Sequence, residues 1–149
     1  MNKEFVVLVV EDDSMTRNVI IETLRFDGFK TEEADGFRSS LELFSPGKYK
    51  VIVMDNQLGD GIGVELCRQL IARDKAIKIF LFAGASEDAR LEALNAGATR
   101  VLQKPYDLAK LSFLIRSEAN RNMGEADHST AKTFTIEDQE FSNSAQPSV

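Results

Sequence analysis

Two runs of largely β-branched residues, Phe5–Val10 and Val51–Asp55, are apolar without alternation, and both lead abruptly into carboxylates. A strand with one face in water alternates with a period of two. A continuous run of this kind therefore belongs to a strand buried on both faces, as in a parallel sheet covered by helices. The same runs place Glu11-Asp12-Asp13 and Asp55 at strand C-terminal ends, where open α/β sheets keep their sites. Taken alone, an Asp in such a place is most often a turn former or a helix cap.

The rest of the chain alternates between the two periods. From Ser14, the residues Met15, Val19, Ile20, Leu24 and Phe26 follow helical spacing, with Asp13 or Ser14 available as N-cap and Gly28 as the stop. Phe29–Ala34 is short and polar, suited to an edge strand, and the Leu41, Leu43, Phe44 pattern after it is ended by Pro46-Gly47. Val51–Asp55 leads through the turn-rich Asn56-Gln57-Leu58-Gly59-Asp60-Gly61 to a helix marked by Val64, Leu66, Cys67, Leu70 and Ile71. Ile77–Phe82 is a fourth strand, and Ser86 with Glu87 and Asp88 opens a helix that stops at Gly97. Arg100–Gln103 is a fifth strand, cut off by Lys104-Pro105, and a last helix runs from the cap Asp107 to about Asn120.

Such alternation predicts an α/β fold of the flavodoxin-like (βα)5 kind, a doubly wound parallel sheet of strand order 2-1-3-4-5 joined by right-handed crossovers. In that order strands one and three are neighbours. Glu11, Asp12 and Asp55 then converge on one crevice, which Lys104 reaches from the end of strand five. Three carboxylates so placed raise one another's pKa values unless a cation neutralises them, and a set of hard oxygens suits Mg²⁺. The Lys104 ammonium would add a point charge for a phosphoryl oxygen.

A chain of 149 residues with 43% hydrophobic content can bury one core of ordinary domain size. The single cysteine, Cys67, lies on an amphipathic helical pattern and reads as a packed thiol; with His128 the only histidine, no Cys/His zinc cluster can form. A net charge of −6 without a basic patch argues against direct binding of nucleic acid. No stretch approaches the roughly 20 apolar residues of a membrane span, and no signal pattern opens the chain, so a cytoplasmic location is expected. Residues 122–149 carry five carboxylates against Lys132 alone and almost no apolar period, which reads as an acidic polar tail or linker after a domain of residues 1–121. Within it only Lys132–Glu137 alternates like a strand able to dock on a sheet edge.

The joint order of Val9-Val10-Glu11-Asp12-Asp13 with Arg17, Asp55 with Leu58 and Gly63, Ala93–Ala98 and Lys104-Pro105-Tyr106 resembles the receiver domain of bacterial two-component response regulators over residues 3 to about 121. The resemblance implies that Asp55 accepts a phosphoryl group from the phosphohistidine of a histidine kinase or histidine phosphotransfer protein, and that Lys104 holds that group. It further implies Mg²⁺ bound by Asp12 directly, by Glu11 through water, by Asp55 and by the main-chain carbonyl of Gln57. The face formed by the fourth helix, fifth strand and fifth helix would meet a downstream protein partner.

Three departures stand out. Counted back from Gly97 and Lys104, the family's switch Ser or Thr falls on Phe82, and its switch aromatic falls on Val101. Phe82 either crowds the acceptor and rewires the output or points into the core. Gly59 stands where the family commonly has Pro, which adds backbone freedom. Two other function classes compete. A pseudo-receiver would bind partners without phosphorylation, and Phe82 is the feature that suggests it. A Mg²⁺-dependent phosphatase of the haloacid-dehalogenase type needs a second Asp two residues after the first, a position held here by Gln57.

Overall fold

The computed structural model describes residues 6–104 and 107–123. Its centre is a five-stranded parallel sheet made from β1 (Val6–Val10), β2 (Lys30–Ala34), β3 (Tyr49–Asp55), β6 (Lys78–Ala83) and β7 (Arg100–Gln103), in the order β2-β1-β3-β6-β7. This is the doubly wound order expected from the alternation, with β1 and β3 side by side. The turn-rich segment after Asp55 adds a small antiparallel pair that the sequence did not announce, β4 (Gln57–Leu58) with β5 (Gly61–Ile62).

The continuous β-branched runs are buried on both faces, as their composition requires: Val7 to Val10 and Val51 to Asp55 are all between 0% and 5% exposed. Alternate residues divide between the two sides of the sheet. Leu8, Val10, Ile52, Met54, Ile79 and Leu81 join one cluster with Val64, Leu66, Cys67 and Leu70 of α3 (Gly63–Arg73) and Ala93 of α4 (Glu87–Asn95). Opposite positions, among them Val7, Val9, Val53, Phe80 and Phe82, are equally buried. Ile20, Ile21 and Leu24 of α1 (Ser14–Phe26) and Leu111, Leu114 and Ile115 of α5 (Leu108–Met123) supply further buried apolar side chains.

Local chemistry sets the element ends. Asp13, rather than Ser14, caps α1: its Oδ2 accepts the Thr16 amide at 2.8 Å and the Thr16 hydroxyl at 2.6 Å. These bonds, the hydroxyl's first, hold the Asp13 carboxyl below its usual range. Ser86 caps α4 through the Ala89 amide, and Asp107 accepts the Lys110 amide at the start of α5. Gly97 ends the α4 region at φ 110°, a left-handed conformation that glycine adopts without a Cβ penalty. β3 begins at Tyr49, two positions before the β-branched run, because the pairing with β1 skips Lys50; the Tyr49 hydroxyl donates to Glu32 at 2.6 Å across the sheet. α2 (Phe37–Leu43) is short and leaves Phe44 outside, stacked on Tyr49.

The chain divides into two units, Met1–Ile115 and Arg116–Val149, with the division inside α5. Among the described residues no helix is long and apolar enough to cross a membrane. Pro105, Tyr106, His128 and the alternating Lys132–Glu137 lie outside the described residues.

Candidate functional site

The acidic crevice forms where β1 and β3 end together. Val10 pairs with Met54, so the residues that follow, Glu11 and Asp12, come out beside Asp55. One carboxylate oxygen from each of Glu11, Asp12 and Asp55 lies within 4.8 Å of the others. Glu11 and Asp55 are 4% and 5% exposed, whereas Asp12 is open to solvent. Lys104, just past β7, brings Nζ to 2.8 Å from Asp55 Oδ1, a charge pair whose angle falls short of a hydrogen bond.

Each acid is held by the backbone around it. Glu11 Oε2 accepts the Asp13 amide at 3.1 Å, and its own carbonyl accepts Arg17 Nη1 at 2.7 Å while Arg17 Nε reaches Glu33. Asp12 Oδ2 accepts the Gly59 amide at 3.1 Å. Asp55 is anchored through its successor: the Asn56 amide donates to the Phe82 carbonyl, and the Asn56 carbonyl accepts the Gly63 amide at 2.7 Å. The Asn56 side chain accepts the Val64 amide at 2.9 Å, capping α3 in place of Ile62, which has no side-chain acceptor. Gly63 completes the seat, since a Cβ there would stand 2.6 Å from the Asp55 carbonyl and 2.8 Å from Asn56 Cα.

Phe82 pairs in register with Asp55, so the two side chains leave the sheet on the same side. At 1% exposure its ring is packed in the interior, beside the buried acceptor. Val101 is half-buried and packs on the edge of the cluster around α3 and α4. Neither position offers a hydroxyl. Gln57 lies on β4 with its side chain exposed.

Sequence reasoning did not assign roles to Asn56 or Asp60. Asp60 accepts the Phe37 amide at 2.6 Å and the Arg38 amide at 3.1 Å at the start of α2, and these bonds, Phe37's first, hold its carboxyl below the usual range. The partners are over twenty positions away, and no local pattern announces them.

The donor set is all oxygen, contains two buried carboxylates and one exposed one, and so leaves room for water on its open side; these are the features that a hard dication such as Mg²⁺ requires. A crevice of this kind at the switch point of a five-stranded doubly wound sheet defines a phosphoacceptor signalling domain. The sequence profile of the response regulator receiver domain matches residues 7–116, and the chain belongs to that family.

Among its relatives, response regulator MprA of Mycolicibacterium vanbaalenii is 33% identical over 132 residues, which are 87% of this chain and 57% of that protein. The KDP operon transcriptional regulatory protein KdpE of Escherichia coli is 32% identical over 116 residues, 78% of this chain and 52% of that protein. The chain thus spans little more than half the length of these relatives. Of solved structures, a CheY-like receiver domain protein from Methanospirillum hungatei superposes with a TM-score of 0.77 at 24% identity, covering 83% of this chain and 100% of that one. A receiver domain protein from Clostridium thermocellum gives 0.75 at 23% identity, covering 80% and 97%. Receiver domains as a family accept a phosphoryl group and bind Mg²⁺ at an acidic pocket.

Proposed function

We propose that this chain works as a two-component receiver in which Asp55 takes a phosphoryl group from the phosphohistidine of a histidine kinase or histidine phosphotransfer protein. The observation that carries the reading is Lys104 Nζ at 2.8 Å from Asp55, itself grouped with Glu11 and Asp12 at the ends of adjacent strands. An Asp55 carboxylate oxygen attacks phosphorus as the P–N bond to the partner's imidazole breaks, and the imidazole leaves with the bonding pair. Attack by a carboxylate oxygen sets no proton free, so the step calls for no general base. Lys104 shifts from Asp55 Oδ1 to an oxygen of the incoming group, which keeps a positive charge beside a site that gains negative charge.

Glu11, Asp12, Asp55 and the Gln57 carbonyl would hold Mg²⁺, which when bound neutralises the carboxylates and the phosphoryl oxygens together. Burial of Asp55 limits the approach of water, so the chain acts as a signalling domain with slow self-dephosphorylation rather than as a turnover enzyme. Phe82 and Val101 lack the hydroxyl and the aromatic ring of the family's switch pair, and the output is accordingly atypical. It passes through contacts of the α4, β7 and α5 face with a protein partner, in the cytoplasm where kinase and receiver meet, and without direct contact to nucleic acid. Residues 1–121 form the receiver, in keeping with the course of α5 to Met123, and 122–149 an acidic tail or linker.

The test is to incubate the chain with Mg²⁺ and a small phosphodonor such as acetyl phosphate, and to look for the phosphoryl adduct by intact mass. An adduct that vanishes in Asp55→Asn is expected. Absence of the adduct, together with failure to bind beryllofluoride, would overturn the reading.

A further inference from the structure

We infer that Asn56 is a positioning residue for phosphoryl transfer, its side chain fastening the first turn of α3 to the strand that carries the acceptor. The inference rests on the receiver reading above and adds to it a residue outside the acceptor, the acids and Lys104.

A helix begins with amides that have no partner inside it, and the N-cap side chain normally supplies one. Ile62, the N-cap of α3, has no acceptor to give and is 53% exposed. Asn56 takes over the duty from the end of β3. Its carbonyl accepts the Gly63 amide at 2.7 Å and its Oδ1 the Val64 amide at 2.9 Å. The Asn56 amide in turn donates to the Phe82 carbonyl at 3.0 Å, so one residue ties both β6 and α3 to the end of the acceptor strand.

What Asn56 holds is pressed against the acceptor's own backbone. A Cβ on Gly63 would stand 2.6 Å from the Asp55 carbonyl, 2.8 Å from Asn56 Cα and 2.9 Å from a methyl group of Leu81. Without the side-chain cap the first turn of α3 frays, and the wall behind Asp55 loosens with it. The carboxylate then loses its fixed bearing on Lys104, whose Nζ lies 2.8 Å from Oδ1, and in-line transfer depends on such alignment. Position 62 offers a way to return the cap from the other side. Its backbone is extended as an N-cap requires, with φ −112° and ψ 133°, and a side-chain oxygen there would reach the Val64 or Glu65 amide.

The experiment compares Asn56→Leu, which keeps the branched shape and removes the oxygen, with the same change joined to Ile62→Asn, which restores a neutral cap. Adduct formation by the full chain with Mg²⁺ and acetyl phosphate is timed by intact mass, and hydrogen exchange of the Val64 amide is followed by NMR. In Asn56→Leu the rate is expected to fall about tenfold, within the ~10²-fold that a misplacement of ~1 Å can cost, and Val64 to lose protection. The double variant regains both. Ser86→Ala removes the α4 cap, which accepts the Ala89 amide at 3.1 Å, and controls for lost stability: its Tm falls and its rate stays that of the wild type. If Asn56→Leu fails to fold, Asn56→Ala makes the same comparison. Three results overturn the role of Asn56 and leave the receiver reading standing: a wild-type rate in Asn56→Leu, an equal loss in Ser86→Ala, or a rate that stays low in the double variant although Val64 is protected again. No adduct in the wild type overturns both.

Discussion

The acidic crevice should destabilise the metal-free protein, and Asp12→Asn measures by how much. Asp12 faces two like charges, each with an oxygen within 4.8 Å. At that distance Coulomb's law gives ~1 kcal/mol per pair near the dielectric of water and ~3.5 kcal/mol at an effective dielectric of ~20. Asp12 is exposed and ordinary buffer salt screens it, so the lower figure applies; Lys104 already offsets the Asp55 charge, and removing the repulsion that remains relieves ~1 kcal/mol. Asparagine keeps an oxygen to accept the Gly59 amide, so the loop bond survives the change. For a domain of this size the gain corresponds to a rise in Tm of ~4 °C. Thermal unfolding followed by circular dichroism in EDTA should show the variant melting above the wild type. Adding Mg²⁺ at a hundred times its Kd should then lift the wild type by ~2.7 kcal/mol and the variant by much less, which closes or reverses the gap. A variant that melts at or below the wild type in EDTA would refute the repulsion argument; an equal Mg²⁺ shift in both would remove Asp12 from the ligand set.

Four further outcomes are expected. Phe82→Ala empties a ring-sized space at a position 1% exposed and should cost ~3–5 kcal/mol in urea unfolding, whereas a loss below ~1 kcal/mol would mean the ring is not packed. Gly63→Ala drives a Cβ to 2.6 Å from the Asp55 carbonyl, with backbone as the obstacle; a destabilisation of ~3 kcal/mol and a poor phosphoryl adduct by intact mass should follow. Tyr49→Phe should flatten the acid limb of stability against pH. The Tyr49 hydrogen bond holds the Glu32 carboxyl below its ordinary 4.5, so this stability is present above that value and is lost as pH falls through the depressed folded one. On the alkaline side burial pushes the Cys67 thiol from 9.0 up to about 11, so the neutral thiol's contribution is full below pH 9 and fades as pH rises towards the folded value. Urea midpoints across the pH range would check both limbs, and an unchanged acid limb in Tyr49→Phe would sink the first.

Much of the site could be read from local pattern. The runs Phe5–Val10 and Val51–Asp55 had to be central strands because nothing in them could face water, and acids directly after such strands had to emerge at one edge of the sheet. Lys104 came into view by the same logic, as the residue that ends the fifth strand. The turn-rich stretch after Asp55 was harder, because Asn, Asp and Gly admit many turn types, and the choice of β4–β5 depends on what the loop docks against. Gly59 read as added freedom, whereas in the fold its amide is a fixed donor to Asp12.

What the sequence determined by itself is the layout: strand order, the position of Asp55, and the company of Glu11, Asp12 and Lys104, all of which follow from periodicity and from the chirality of crossovers. Tertiary structure alone decided the rest. It set Asp60 on the start of α2, Asn56 on the start of α3, and the Phe82 ring in the interior beside the acceptor's strand. Two of these are contacts between groups distant in sequence or separated by a turn, chosen by which polar groups the folded chain leaves in need of a partner. The third depends on which side of the sheet a strand presents, and one residue of register is enough to reverse it.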